Sequence, residues 1–191
     1  MSTCDVDRFV KFWYEPCIAK TNTINRKNHD FWVTYNKGGG FRKWYGNKEC
    51  VVLWHQDGDL LRANNAALRN QDSYFDEFIA WTKISSTGTG FRYFEKEFLF
   101  DGAGGSLFLH NKADTWYFLG FLNSKVCGKI LNIISPTVNF NESHIGALPM
   151  IMANEEETHT ATRLTRENIN ASKIDWDAFE TSWDFKRHPL I

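Results

Sequence analysis

Apolar residues come in short bursts along most of the chain and thin out near its end. At the start, Val6, Phe9, Val10, Phe12 and Trp13 fall at mixed spacing, and Pro16 limits any helix to a turn or two before the chain extends. Apolar runs and alternation predict strands at 31–35, 41–45 and 49–55, the last carrying Cys50-Val51-Val52-Leu53-Trp54. After the Asp57-Gly58 turn, Leu60, Leu61, Ala63, Ala66, Ala67 and Leu68 have helical spacing, and a second short helix is expected from Tyr74 to Ile79. Strands return at 80–85, 91–94, 97–101 and 105–109, separated by glycine-rich turns at Gly88 to Gly90 and Gly102 to Gly105.

The longest apolar pattern predicts one helix from about Asp114 to Ile134. Asp114 or Thr115 would cap it, Leu119, Leu122, Val126, Ile130 and Ile133 would share one face, and Ser135-Pro136 would end it. Beyond Leu148-Pro149 glutamates cluster at 155–157 and a polar helix with Ala161, Leu164 and Ile169 follows. Ser172 and Asp175 then resemble a capping pair for one more short helix with Trp176, Phe179 and Trp183. The pattern is that of an α+β fold: a mixed or antiparallel sheet, one long amphipathic helix packed on it, and a small helical C-terminal subdomain. A boundary near Met152 divides residues 1–152 from a helical extension, 153–191.

With 191 residues, 42% of them hydrophobic, the chain has the size of one ordinary domain. Such a domain buries roughly 70% of the surface its unfolded chain exposes, which excludes disorder. No apolar run approaches the roughly 20 residues of a membrane span. Asp5, Asp7 and Arg8 do not fit a secretory signal, so a cytoplasmic protein without a membrane partner is expected. Cys4, Cys17, Cys50 and Cys127 lie tens of residues apart with no CxxC pair and read as free thiols.

A formal charge of -1 argues at first against a nucleic-acid partner, but the charge is polarised. Residues 20–48 hold Lys20, Arg26, Lys27, Lys37, Arg42, Lys43 and Lys48 against Asp30 alone, a net of +6. Residues 142–184 hold nine acids against Arg163, Arg166 and Lys173, a net of -6, and this acidic end is expected to point away from any phosphate. The basic stretch is interleaved with Phe31, Trp32, Tyr35, Phe41, Trp44 and Tyr45 and contains Gly38-Gly39-Gly40. Cations for phosphates, flat rings for stacking and glycines for close approach together form a nucleic-acid signature, although a half-buried strand has the same pattern.

Catalytic motifs are missing. Six histidines form no HxH or HExxH, and there is no GxxxxGK[ST] loop or GxSxG elbow; Cys127 on an apolar helix reads as core. Asp184-Phe185-Lys186 matches only the second half of a metal-dependent nuclease signature. Phe100-Asp101-Gly102-Ala103-Gly104-Gly105 resembles the acidic glycine-rich turn with which methyltransferases hold S-adenosylmethionine. It leads, however, into Ser106-Leu107-Phe108-Leu109, which reads as a strand where a helix N-terminus is required. No Asn/Asp-Pro-Pro-aromatic tetrapeptide is present. No catalytic, cofactor or metal site is therefore expected in this chain.

Several runs together carry a resemblance. KGGGFRKWYGN at 37–47, FRYFEKEFLFD at 91–101, GFLNSKV at 120–126, SPTVNF at 135–140 with IGALP at 145–149, and SKIDWDAFETSWDFKRHPL at 172–190 resemble the target-recognition region of BREX phage-defence adenine-specific DNA methyltransferases. This is the PglX family, also labelled type II restriction enzyme methylase subunits. The resemblance runs from about Thr3 onward; Asp5-Val6-Asp7-Arg8-Phe9 resembles the family's entry segment but departs from its Thr-Gly-Asp-Asn at Cys4 and Val6.

The resemblance implies a DNA target-recognition domain over residues 1–152, a fragment or split subunit of an enzyme that uses S-adenosylmethionine. Its expected partners are double-stranded DNA, the upstream methyltransferase catalytic domain, and a phage inhibitor protein. Lys37, Arg42, Lys43 and Lys48, with Trp44 among them, are the candidates for the phosphate-facing surface. Ser85, Ser86, Thr87, Arg92, Tyr93 and Asn139 are the candidates for base edges or nearby backbone. Rival readings are a protein-interaction module using the acidic end, a metal-dependent nuclease built on Asp184, and a sugar-binding module suggested by eight tryptophans.

Overall fold

Two small sheets and six α-helices form the framework of residues 1–16 and 30–191, the part of the chain that the computed structural model describes. Lys20, Arg26 and Lys27 of the basic stretch, with Cys17, lie outside the described residues. In chain order, α1 (Val6–Phe9) runs straight into β1 (Val10–Phe12), well before Pro16, and β2 (Asp30–Asn36) and β3 (Cys50–His55) follow. Then come α2 (Asp59–Ala63), β4 (Phe78–Thr82), β5 (Arg92–Phe94), β6 (Leu99–Phe100) and β7 (Gly104–Leu107).

The first sheet has the order β1-β3-β2-β6, with β3 antiparallel to both neighbours and β6 parallel to β2. The second is antiparallel throughout, in the order β5-β4-β7. Strand alternation divides β4 between two cores. Phe78 and Ala80 join Phe94, Phe98 and Phe100, while Ile79 and Trp81 join the largest cluster, with Leu119, Leu131, Phe140 and Trp176. The first sheet builds its own core from Phe9, Val10, Tyr35, Val52, Leu61 and Leu99.

The helical side departs most from the sequence pattern. The single helix expected over 114–134 is two, α3 (Thr115–Leu122) and α4 (Lys125–Ile134). The break has a local cause. Asn123 donates to and accepts from the backbone of Phe91, and Ser124 accepts from the Cys127 amide, so one residue ends a helix and the next caps another. The restart changes the phase: Cys127 and Leu131 are buried, while Val126 and Ile133, expected on the inner face, are exposed.

After α5 (Glu142–Gly146), the two helices expected beyond residue 153 are one, α6 (Glu155–Asp177), capped by Asn154, with Ser172 inside it. Ile169 and Trp176 of α6 sit in the same cluster as Tyr45 and Leu119. Gly120 of α3 lies against the Thr165 hydroxyl, where a side chain would collide, so that contact needs glycine. Residues 41–45 form no strand beyond a bridge between Trp44 and Arg92, and 74–79 hold no helix, since a 3-10 turn at Gln71–Ser73 precedes β4. The α+β class stands.

Candidate nucleic-acid interface

Where α3 gives way to α4, three segments enclose a groove of about 360 Å³. Phe41 and Lys43 come from the loop after β2, Thr87, Gly88 and Thr89 from the loop after β4, and Ser124, Lys125, Gly128, Lys129 and Asn132 from α4, above a floor that includes Leu131 and Phe140. The Ser124 cap fixes the phase of α4 so that Lys125, Gly128, Lys129 and Asn132, at helical spacing, are all exposed while Cys127 and Leu131 point inward. Burial pushes the Cys127 thiol up to about 11, which suits a core residue.

Among the described residues Lys125 and Lys129 have no ion pair or hydrogen bond. Lys43 donates to the Asn123 carbonyl at 2.8 Å and so holds the loop against the α3–α4 break. Thr89 Oγ1 is buried with no hydrogen-bond partner among the described residues. The groove thus offers two free cations, an exposed aromatic edge in Phe41 and several small polar groups, the composition that anionic backbones with planar bases call for. The pattern missed Lys125 and Lys129 because it ran one helix through Asn123. A cap at Ser124 is the signal that would have turned them outward.

The other expected cations are engaged within the fold. Lys37 pairs with Asp101 at 2.9 Å. Arg42 pairs with Asp175 at 3.0 Å and lies over the Trp176 ring, so the acidic end of the chain meets the basic loop directly instead of pointing away from it. The charge polarity in sequence gave no sign of this because α6 runs back across the molecule to bring Trp176 into the core.

Lys48 is buried, with its ammonium 3.7 Å from the centre of the Tyr45 ring and paired to Glu95. Burial lowers its pKa to about 8, against the pull of Glu95. Arg92 is fully buried and donates to the Arg42 carbonyl at 3.3 Å and Thr82 Oγ1 at 3.2 Å, and burial lowers its pKa to about 10. Both cations therefore face inward, Lys48 as a prop for the aromatic wall and Arg92 as a pin for the loop at Arg42.

Trp44 takes a left-handed backbone conformation, donates to Phe91, accepts from Tyr93, and packs against the main core. Gly90 makes room for this loop, since a side chain there would strike the Arg42 carbonyl. The Tyr93 hydroxyl donates to Glu77 at 2.7 Å and its ring meets Trp116; burial, with Glu77 alongside, raises its pKa.

Ser85, Ser86, Thr87 and Asn139 are brought together. Phe140 donates to the Lys83 carbonyl and Ser85 to the Val138 carbonyl, which makes a short two-stranded ribbon of 83–85 and 138–140 beside the groove. Ser85 Oγ donates to Gly88 at 2.6 Å and closes the turn; Ser86, Thr87 and Asn139 are exposed.

No three acids, histidines or cysteines among the described residues converge on a metal-sized site, and Asp184 accepts from Lys173 at 2.8 Å. The Asp101 turn does not fit S-adenosylmethionine: it runs into β7, not a helix N-terminus, and its carboxylate is held by Lys37. No helix among the described residues is long and apolar enough to cross a membrane.

No protein-family model matches the chain. Over 188 residues, 97% of its length, it is 38% identical to "Adenine-specific methyltransferase BrxX" of Escherichia coli O9:H4 (strain HS). Across the whole chain it is 32% identical to "Adenine-specific methyltransferase PglX" of Lacticaseibacillus casei (strain Zhang). The chain spans 15% and 17% of the lengths of these relatives.

Proposed function

We propose that this chain, which belongs to the BREX/PglX family, is the part of an adenine-specific DNA methyltransferase that recognises the target site, and that its α4 groove receives duplex DNA. The rest of such an enzyme would bind S-adenosylmethionine and transfer the methyl group to a flipped adenine. This segment would choose the adenine and has no chemistry of its own. Two free lysines one turn apart on an exposed helix carry the reading: phosphates are bound by cations that are not already paired, and the phosphate contacts fix the register in which base edges are read. Double-stranded DNA, the upstream catalytic domain and a phage inhibitor are the proposed partners.

The test is a salt titration of binding to a random-sequence duplex, comparing the chain with its Lys125→Ala/Lys129→Ala variant. The variant is expected to bind about tenfold more weakly at low salt, with the slope of log affinity against log salt reduced by about 2. Identical curves would refute the assignment.

A further inference from the structure

The ribbon beside the groove presents two unlike side chains at one point. Its hydrogen bonds run from Phe140 to Lys83 and from Ser85 to Val138, at 2.6 and 2.9 Å, and they flank the bridged pair Ile84 and Asn139. In an antiparallel pair flanked in this way the two residues are directly opposite, and their side chains leave the same face at the closest cross-strand spacing. Ile84 is 72% exposed, Asn139 is exposed, and the side-chain carboxamide of Asn139 has no partner among the described residues.

The backbone beneath this pair is held from several sides. Trp81 Nε1 donates to the Phe140 carbonyl at 2.6 Å from within the core, Ser135 Oγ to the Asn139 carbonyl at 2.7 Å, and the Asn139 amide to Thr137 Oγ1 at 3.3 Å. Lys83 pairs with Glu142 at 2.6 Å. An isoleucine left mostly in water contributes little to the fold, and an unpaired side-chain carboxamide on a held backbone is available to a ligand.

We infer that Ile84 and Asn139 together read one A·T base pair in the major groove. The inference rests on the proposed DNA-binding role of the adjoining groove. A two-stranded ribbon fits the major groove, a carboxamide matches the N6 donor and N7 acceptor of adenine, and an apolar side chain matches the thymine C5-methyl on the other half of the same pair. A G·C pair would offer the amide the wrong pattern and the isoleucine no methyl. The ribbon's turn, at Thr87 and Gly88, lines the basic groove, so phosphates held by Lys125 and Lys129 would bring base edges to the ribbon.

The 191-residue chain is used to select duplexes from a randomised library at low salt, and the winning sequence is then varied. Selection is expected to return an A·T pair whose replacement by G·C weakens binding roughly five- to a hundredfold, and Asn139→Ala is expected to abolish that preference. Uracil in place of that thymine should weaken the parent about fourfold, the value of one buried methyl, and leave Ile84→Ala unchanged. Both side chains are exposed, so unchanged thermal unfolding is expected of the variants. An A·T preference that survives Asn139→Ala, or uracil bound as well as thymine, overturns the inference. Binding that depends on Lys125 and Lys129 but selects no sequence overturns it while leaving the DNA-binding role intact. Binding indifferent to those lysines overturns both.

Discussion

Two groups of cations on this chain have the same formal charge and opposite situations. Lys37, Lys48 and Arg92 face carboxylates, carbonyls or aromatic rings inside the fold, whereas Lys125 and Lys129 face the groove with no partner among the described residues. The first group is dense in sequence and conspicuous; the second is two residues in an apolar helix pattern. What distinguishes them is pairing, since a buried or paired cation is already satisfied and a free one is available to a phosphate. Inward cations should therefore govern stability, and outward ones binding.

The largest expected effect tests the inward group. Arg92→Ala removes a fully buried side chain and both bonds that tie the Arg42 carbonyl and Thr82 to β5. The cavity and lost hydrogen bonds should cost about 3 kcal/mol in denaturant unfolding. Lys125→Ala/Lys129→Ala should stay within about 0.5 kcal/mol of the parent by the same measurement. Equal losses for the two variants would erase the distinction.

How much of this was legible beforehand follows the same division. The strands were legible because alternation marks them, and β2, β3, β4, β5 and β7 fall within a residue or three of their expected places. The α3–α4 break was not, because Asn123 leaves the helix for the backbone of Phe91, 32 residues away, and that partner is visible only once the chain has folded. The inward turn of Lys48 and Arg92 was hidden for a similar reason: a cation inside an aromatic strand pattern reads as solvated until Tyr45, Phe94 and Phe98 close around it. Ser85–Thr87 and Asn139 are far apart in sequence and each has polar chemistry legible there, but only the ribbon makes them neighbours.

A second effect of the inward group depends on pH. Burial lowers the Lys48 pKa to about 8, so the folded chain gives up this proton before the unfolded chain, whose lysine keeps its ordinary value of 10.5. Between those values the unfolded state binds more protons, and stability rises with pH. Half-buried Cys50 and buried Cys127, both raised to about 11, and Tyr45, raised to about 12, act in the opposite sense because the unfolded chain ionises first. The measurement is therefore the difference between the parent and Lys48→Met. From pH 8 to 9.5 the parent should gain on the variant by on the order of 1 to 2 kcal/mol. A constant difference would place the Lys48 ammonium in solvent.

The smallest effect concerns Arg42, which stands between the two groups. Its guanidinium is a third exposed, its Asp175 partner is nearly two-thirds exposed, and Trp176 lies beneath it. A pair so open to water contributes little to stability, so Asp175→Asn should cost under about 1 kcal/mol. The same change removes the negative charge that α6 sets against the loop supplying Phe41 and Lys43 to the groove, and leaves Arg42 free to meet a phosphate. Duplex affinity at low salt should then rise about threefold, and the gain should fade toward 0.5 M salt, where the Debye length is roughly 4 Å. An affinity unmoved at low salt would assign Arg42 to the inward group and leave α4 as the principal source of phosphate contacts.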